Sequence, residues 1–312
     1  MTRILRLGTR SSLLALAQAT LAKKYIEKIA QNQIEGGVSV ELETYTTSGD
    51  RLFDARLESF GGKGLFIKEI EVALLKGEID LAIHSVKDLP VQITSGLVFA
   101  AYLKREDPRD VIIAKEDLSL EALPSGALIG TSSLRRKVQL LQKRPDFRIQ
   151  PFRGNIDTRM RKLGDGVVMA TLLAAAGLNR IQRWPENYKI LSTEEMLPAV
   201  GQGALVLQCR EDDYDLFSFL RGLNDEETDH AITAERSFSA AVYGSCNAPV
   251  AGYASLKDDG TLHLKGLIAT PEGEHIECGE ITGAKELAYE LGDTLGQKLR
   301  PFIERWRECG FL

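Results

Sequence analysis

An α/β chain with two open, mixed-sheet lobes and a smaller α+β domain at the C-terminal end is predicted by three observations. Strand, turn and helix follow one another repeatedly before residue 90. The same pattern returns between residues 127 and 177. Roughly the last ninety residues then change to alternating strands closed by one long helix. Strand–helix repetition calls for a sheet covered by helices, whereas consecutive alternating strands call for hairpins with one wet face.

The elements follow in order. Ile4–Leu7 is a short apolar strand, and Gly8-Thr9-Arg10-Ser11-Ser12 is a turn whose hydroxyls suit a helix N-cap. From Leu13 to about Ile29 apolar residues recur at helical spacing, and Val38–Tyr45 alternates as a strand. Gly61-Gly62-Lys63-Gly64 leads into a helix through Lys76, followed by a strand over Ile79–His84. In the second lobe, strands at 127–130 and 148–152 alternate with helices at 133–143 and 158–163, before an apolar run at 167–173.

Arg105-Glu106-Asp107-Pro108-Arg109 and Leu197–Gly203 are punctuated by proline or glycine and serve as outward and return crossings. Two crossings imply a hinged cleft. The expected domains are 1–103 with 204–221, then 109–197, then 226–312. The third has a helix at 229–242, strands at 250–256, 262–269 and 274–281, and a helix from Ala284 to about Arg307.

With 312 residues, 44% apolar and 27% charged, the chain has the composition of a globular protein with ample core. No run approaches the roughly 20 apolar residues of a membrane span. Met1–Gly8 enters a strand pattern without a signal-peptide segment, so a cytoplasmic protein is expected. Cys209, Cys246, Cys278 and Cys309 are more than thirty residues apart and form no CxxC pair. That spacing argues against a zinc site, and no metal is expected.

Charge is unevenly placed. Leu134–Lys162 holds ten Lys/Arg against Asp146 and Asp157, a segment of +8 that leaves −13 on the rest of a chain whose net charge is −5. Seven of the ten are arginine, whose planar fork matches carboxylate or phosphate. The bland reading is a solvated helix face. Several of these arginines, however, stand beside glycine and hydroxyl residues in 130–136 and 152–159, which points to an anion site.

Four further places carry chemistry. Pro90 biases the residue before it away from helix, so Asp88 projects from a strand's carboxyl end, where open α/β sheets bind ligands. It is either a turn residue satisfying backbone donors or an acceptor that stabilises a cation and moves protons. Beside it, His84 has a structural reading as a lone histidine at a strand end, and Lys87 is expected to point into the same cleft. Cys246 lies in the loop Gly244-Ser245-Cys246-Asn247-Ala248-Pro249, and is either an inert small hydrophobe or an accessible covalent tether. The 61–64 segment is a weak phosphate cradle or part of a mobile lid that includes Lys63.

Taken together the segments resemble the hydroxymethylbilane synthase, or porphobilinogen deaminase, family. The resemblance rests on short motifs in register: 7–12, 61–69, 84–90, 105–110, 130–136, 153–159, 175–180, 197–204 and Gly244-Ser245-Cys246. It implies two periplasmic-binding-protein-like lobes and a third domain bearing a dipyrromethane primer on a thioether to Cys246. It also implies the head-to-tail condensation of four porphobilinogen molecules with loss of ammonia, followed by hydrolytic release of hydroxymethylbilane. Each ring carries two carboxylates, so a chain of six presents about a dozen for charge-assisted hydrogen bonds to neutralise.

By the same resemblance Asp88 is catalytic, and Ser12, Lys87, Asp88, Thr131, Ser133, Arg135, Arg136 and Arg153 hold the primer with Cys246. Arg10, Ser12, Arg153, Arg159 and Arg180 receive substrate. Ser59 stands where many relatives carry a lid lysine. A monomer that binds no nucleic acid and no membrane is implied. Two rivals remain: a non-enzymatic bilobal anion-binding protein, which leaves Cys246 without a role, and a nucleic-acid binder, against which the acidic remainder and 7% aromatic content weigh.

Overall fold

The computed structural model describes residues 3–33, 37–46, 67–116, 119–243 and 248–312. The chain opens with β1 (Arg3–Arg10), α1 (Leu13–Gln33), β2 (Val38–Tyr45), α2 (Lys68–Leu75), β3 (Leu81–Ser85) and β4 (Leu97–Leu103). There follow β5 (Asp110–Ala114), β6 (Leu128–Gly130), α3 (Leu134–Lys143), β7 (Arg148–Gln150) and α4 (Ile156–Gly164). Next come β8 (Ala170–Ala174), α5 (Ala175–Ile181), β9 (Tyr188–Ile190), β10 (Leu205–Arg210) and α6 (Tyr214–Arg221). The last elements are α7 (Glu226–Tyr243), β11 (Val250–Leu256), β12 (Thr261–Ala269), β13 (Ile276–Ala284) and α8 (Ala288–Glu308).

Two compact units result, 1–106 with 204–229 and 107–203 with 230–312. The first contains a five-stranded sheet of order β2-β1-β3-β10-β4. β1 runs parallel to β2 and β3, while β10 is antiparallel to β3 and β4. The sheet is therefore mixed, as expected. Its apolar face packs on α1 through Leu5, Leu7, Ala22, Ile26 and Ile83. The opposite face packs on α2 through Ile70, Leu74, Ile79 and Ala82. β1 and β3, buried on both sides, deliver their carboxyl ends to one edge, where Arg10 and the 86–88 turn begin.

The second unit contains two sheets. One is five-stranded, of order β7-β6-β8-β5-β9, with β6 parallel to β7 and β8 and with β5 antiparallel to β8 and β9. The other is the antiparallel β11-β12-β13 meander, packed on α7 and α8 through Phe238, Leu264, Leu295 and Ile303. At the carboxyl end of β6, a Cβ on Gly130 would lie 2.6 Å from the Phe152 ring, so only glycine lets the chain pass there into Thr131–Ser133. Ser133 then caps α3 by accepting from the Arg136 N–H at 3.4 Å, and Asn155 caps α4 by accepting from the Thr158 N–H at 2.8 Å.

Candidate functional site

In the first unit the end of β1, the start of α1 and the end of β3 enclose a small pocket of about 60 Å3 lined by Thr9, Arg10, Ser12, Gln18, His84 and Asp88, among others. Ser12 Oγ accepts from the Ala15 N–H at 3.3 Å, which fixes the turn that carries Arg10. Asp88 ends a short 3-10 turn, Val86–Asp88, whose first N–H donates to the Ala204 carbonyl at 3.1 Å. Its carboxylate is half-buried and, among the described residues, receives no hydrogen bond or ion pair. Arg10, Ser12 and Asp88 are thus brought together. Lys87, on the same turn, is exposed.

Beneath that turn lies a buried polar chain that sequence reasoning did not find. His84 Nε2 meets Gln208 Oε1 at 3.0 Å, Gln208 Nε2 donates to Glu71 Oε1 at 3.0 Å, and Thr94 Oγ1 donates to Glu71 Oε2 at 2.7 Å. Glu71 only accepts, so Gln208 turns its NH2 toward it and its carbonyl toward His84. The His84 proton is therefore on Nε2. Burial pulls His84 down to about 4, opposed in part by the Gln208 hydrogen bond.

A histidine buried in its neutral form costs stability when the unfolded chain takes up a proton that the folded chain refuses. Its contribution is constant above pH 6.5 and declines as the pH falls toward about 4, by about 3 kcal/mol over that window. Denaturant unfolding at pH 7 and 4.5 should show that decline in the wild type and a smaller one in His84→Gln.

In the second unit, Asp110 at the first position of β5 is fully buried and central. Arg135 donates to Asp110 Oδ2 at 2.7 Å, and Arg136 donates to Oδ1 at 2.6 Å. Gln202 Nε2 donates to the same Oδ1 at 3.2 Å. Arg135 also donates to the Leu197 carbonyl and Arg136 to the Leu172 carbonyl. Burial pushes the Asp110 carboxyl up, but the charges and hydrogen bonds of the two guanidinium groups outweigh it and hold the group well below the usual carboxylate range. Expected as clamps, Arg135 and Arg136 are 6% exposed and commit these donors to the lobe itself.

Arg159 differs. It is half-buried, its Nε donates to the Gly154 carbonyl at 2.9 Å, and no described residue supplies it with a carboxylate. Burial and then the positive Arg136 lower its guanidinium to about 10. The second unit therefore sets two guanidinium groups on the Asp110 carboxylate and a third, Arg159, within electrostatic reach of Arg136, an excess of positive charge for an anion to neutralise. Thr131 Oγ1 accepts from the Ser133 N–H at 3.1 Å, and Ser133 Oγ from Arg136 N–H; each hydroxyl retains its own proton to donate. Arg180, in the last turn of α5, donates to the Gly203 carbonyl at 2.6 Å. Arg153 is half-buried beside the α4 cap.

Cys246 and Lys63, with Ser59, lie outside the described residues. Among those described, Cys209 is buried and Cys278 and Cys309 are exposed, all as free thiols. No group of three or more His, Cys, Asp or Glu among the described residues is disposed to hold a metal ion. No helix among them is long and apolar enough to cross a membrane. Asp110 did have a sequence signal. A carboxylate opening the buried run Asp-Val-Ile-Ile-Ala (110–114) requires cationic partners.

Two family descriptions match the chain, "Porphobilinogen deaminase, dipyromethane cofactor binding domain" over residues 5–218 and "Porphobilinogen deaminase, C-terminal domain" over 230–301. A porphobilinogen deaminase of Brevibacillus brevis is 42% identical over 95% of this chain and 97% of its own length. One of Bacillus subtilis is 45% identical over 91% and 89%. A chloroplastic one of Oryza sativa subsp. japonica is 42% identical over 95% and 83%. Among solved structures, a Salmonella typhimurium periplasmic binding protein of high arginine specificity covers 73% of this chain and 94% of its own, at 13% identity and a TM-score of 0.40.

Proposed function

The chain belongs to the porphobilinogen deaminase family, and on that premise we propose which of its residues carry the reaction. It is a transferase of tetrapyrrole synthesis, and residues 5–218 match the dipyrromethane cofactor binding domain. In our reading four porphobilinogen molecules are condensed head to tail on the primer and released as hydroxymethylbilane. Asp88 is the catalytic carboxylate. Its unused acceptor capacity, beside Arg10 and Ser12, is the observation that carries this assignment. It accepts the pyrrole N–H, stabilises the cation that develops when ammonia leaves, and moves the proton released on coupling.

A polyanionic oligopyrrole fits the donor set, because Arg159 is a half-buried cation to which no described residue brings an anion. We assign the primer to Ser12, Lys87, Asp88, Thr131, Ser133, Arg153 and the thiol of Cys246. Arg135 and Arg136 act on it through charge and by shaping the 131–136 segment, since Arg136 Nε and both its terminal nitrogens, and one terminal nitrogen of Arg135, are engaged with Asp110 and backbone carbonyls. Arg10, Ser12, Arg153, Arg159 and Arg180 receive substrate carboxylates, and Lys63 belongs to a lid. When bound, the primer supplies a nucleophilic pyrrole α-carbon. The division into lobes 1–103 with 204–221 and 109–197, and a third domain 226–312, belongs to this proposal. So does a cytoplasmic monomer without nucleic-acid or membrane partners.

Intact mass tests the assignment. The purified protein should exceed its sequence mass by two pyrrole units, and the excess should vanish in Cys246→Ala. An adduct that survives in that variant places the tether elsewhere. A wild type at its sequence mass that releases no ammonia from porphobilinogen overturns the whole reading and favours the anion-binding alternative.

A further inference from the structure

The pocket that holds Asp88 contains a second acceptor that the reaction as assigned above does not use. His84 lines it, and the residue is only 5% exposed. Its Nε2 proton is committed to Gln208, which Glu71 orients, and Thr94 in turn holds Glu71. That leaves Nδ1 as a neutral acceptor to which no described residue donates. The chain Thr94–Glu71–Gln208 has one arrangement compatible with its donors and acceptors, so the tautomer is locked.

We propose that His84 is a specificity-determining residue whose Nδ1 accepts a hydrogen bond from the aminomethyl ammonium of the incoming pyrrole. The proposal rests on the porphobilinogen reading of the Asp88 pocket and extends it. A pyrrole with a charged amine arm presents two kinds of N–H donor, and the pocket offers two kinds of acceptor. When the C–N bond breaks, its electron pair leaves with nitrogen as neutral ammonia, and the positive charge passes from the ammonium to the ring. A carboxylate at the ammonium would stabilise the state before that transfer and oppose it. A carboxylate at the ring N–H, where Asp88 is assigned, favours the state after it. A neutral acceptor at the amine orients the leaving group without holding its charge. Burial, which keeps His84 neutral down to about pH 4, serves that role.

Two substitutions separate this role from a structural one, because each keeps one edge of the ring. His84→Gln keeps a donor for Gln208 and removes the Nδ1 acceptor. His84→Asn places an amide at the Nδ1 position and abandons Gln208. The expected result is a fall in kcat/KM for porphobilinogen of tenfold or more in His84→Gln, with a melting temperature near that of the wild type. His84→Asn should show the reverse order, a lower melting temperature and a smaller loss of kcat/KM.

Should neither variant fold, 15N-histidine spectra of the wild-type holoprotein decide the matter. His84 is one of four histidines and stays neutral down to about pH 4; its Nδ1 resonance should move on adding porphobilinogen. Wild-type kcat/KM in His84→Gln, or an Nδ1 signal that ignores porphobilinogen while the wild type turns it over, overturns the His84 role and leaves Asp88 untouched. A wild type that does not consume porphobilinogen overturns both.

Discussion

Asp88→Ala is expected to fold, melt within about 2 °C of the wild type, and carry its primer, yet turn over porphobilinogen ~10²–10⁴ times more slowly. The asymmetry between stability and rate follows from the structure. The carboxylate is half-buried and, among the described residues, receives no hydrogen bond or ion pair, so truncating it breaks no described interaction. The turn around it is held instead by the Val86 N–H on the Ala204 carbonyl and the Leu89 N–H on the Val86 carbonyl. What disappears is an acceptor that develops its full interaction only when the ring becomes cationic, and such an interaction lowers kcat rather than raising KM. Asp88→Glu, which retains the charge one methylene further out, should recover part of the rate. Steady-state kinetics on primer-loaded protein checks this. Near-wild-type turnover in Asp88→Ala would give the proton transfer to another group.

The second large effect falls on stability. Asp110→Ala should destabilise the second unit by about 4 kcal/mol, because it leaves Arg135 and Arg136 buried without a counter-charge. For a chain of this size that corresponds to a drop in Tm on the order of 10 °C. Primer loading should fall with it, since Arg136 and the Ser133 cap share the segment that Asp110 holds in place.

Asp110→Asn keeps an acceptor for one guanidinium and should lie between the two. The pH dependence has a definite sign. A carboxylate whose folded value is depressed contributes stability that is fully present above its unfolded value near 4 and is lost as the pH falls toward the folded one. The difference between wild type and Asp110→Asn should therefore be flat at neutral pH and shrink only below about pH 4. A wild-type Tm in Asp110→Ala would show that the two arginines are hydrated rather than buried against a single carboxylate.

Periodicity was enough for many elements. Val38–Tyr45 forms the strand its alternation predicts, residue for residue, and the helix expected at 133–143 is α3 with Ser133 as its cap. Strands β4, β5 and β10 escaped because Leu-Val-Phe-Ala-Ala-Tyr-Leu, Asp-Val-Ile-Ile-Ala and Leu-Val-Leu-Gln-Cys-Arg are near-continuous apolar runs without a period. β10 pairs with strands more than a hundred residues earlier, and no local pattern announces that. Asp88 was expected at the carboxyl end of the strand itself, whereas β3 stops at Ser85 and Asp88 closes the 3-10 turn that follows; Pro90 acts on its immediate neighbour Leu89, which is extended. Partners were not legible, because a charge shows its sign in a sequence but not its distance from another.

The residues by themselves determined the family, the periodic strands and helices, and the supply of arginine, aspartate and cysteine from which a polyanion site is built. Those properties are local or additive, so a linear chain displays them. Only the folded chain decided that Arg135 and Arg136 attend Asp110 while Arg159 is left without a carboxylate among the described residues. It alone decided that His84 holds its proton on the side facing Gln208. Both depend on which groups burial brings within 3 Å or so of one another, and that separation comes into being only when distant segments pack.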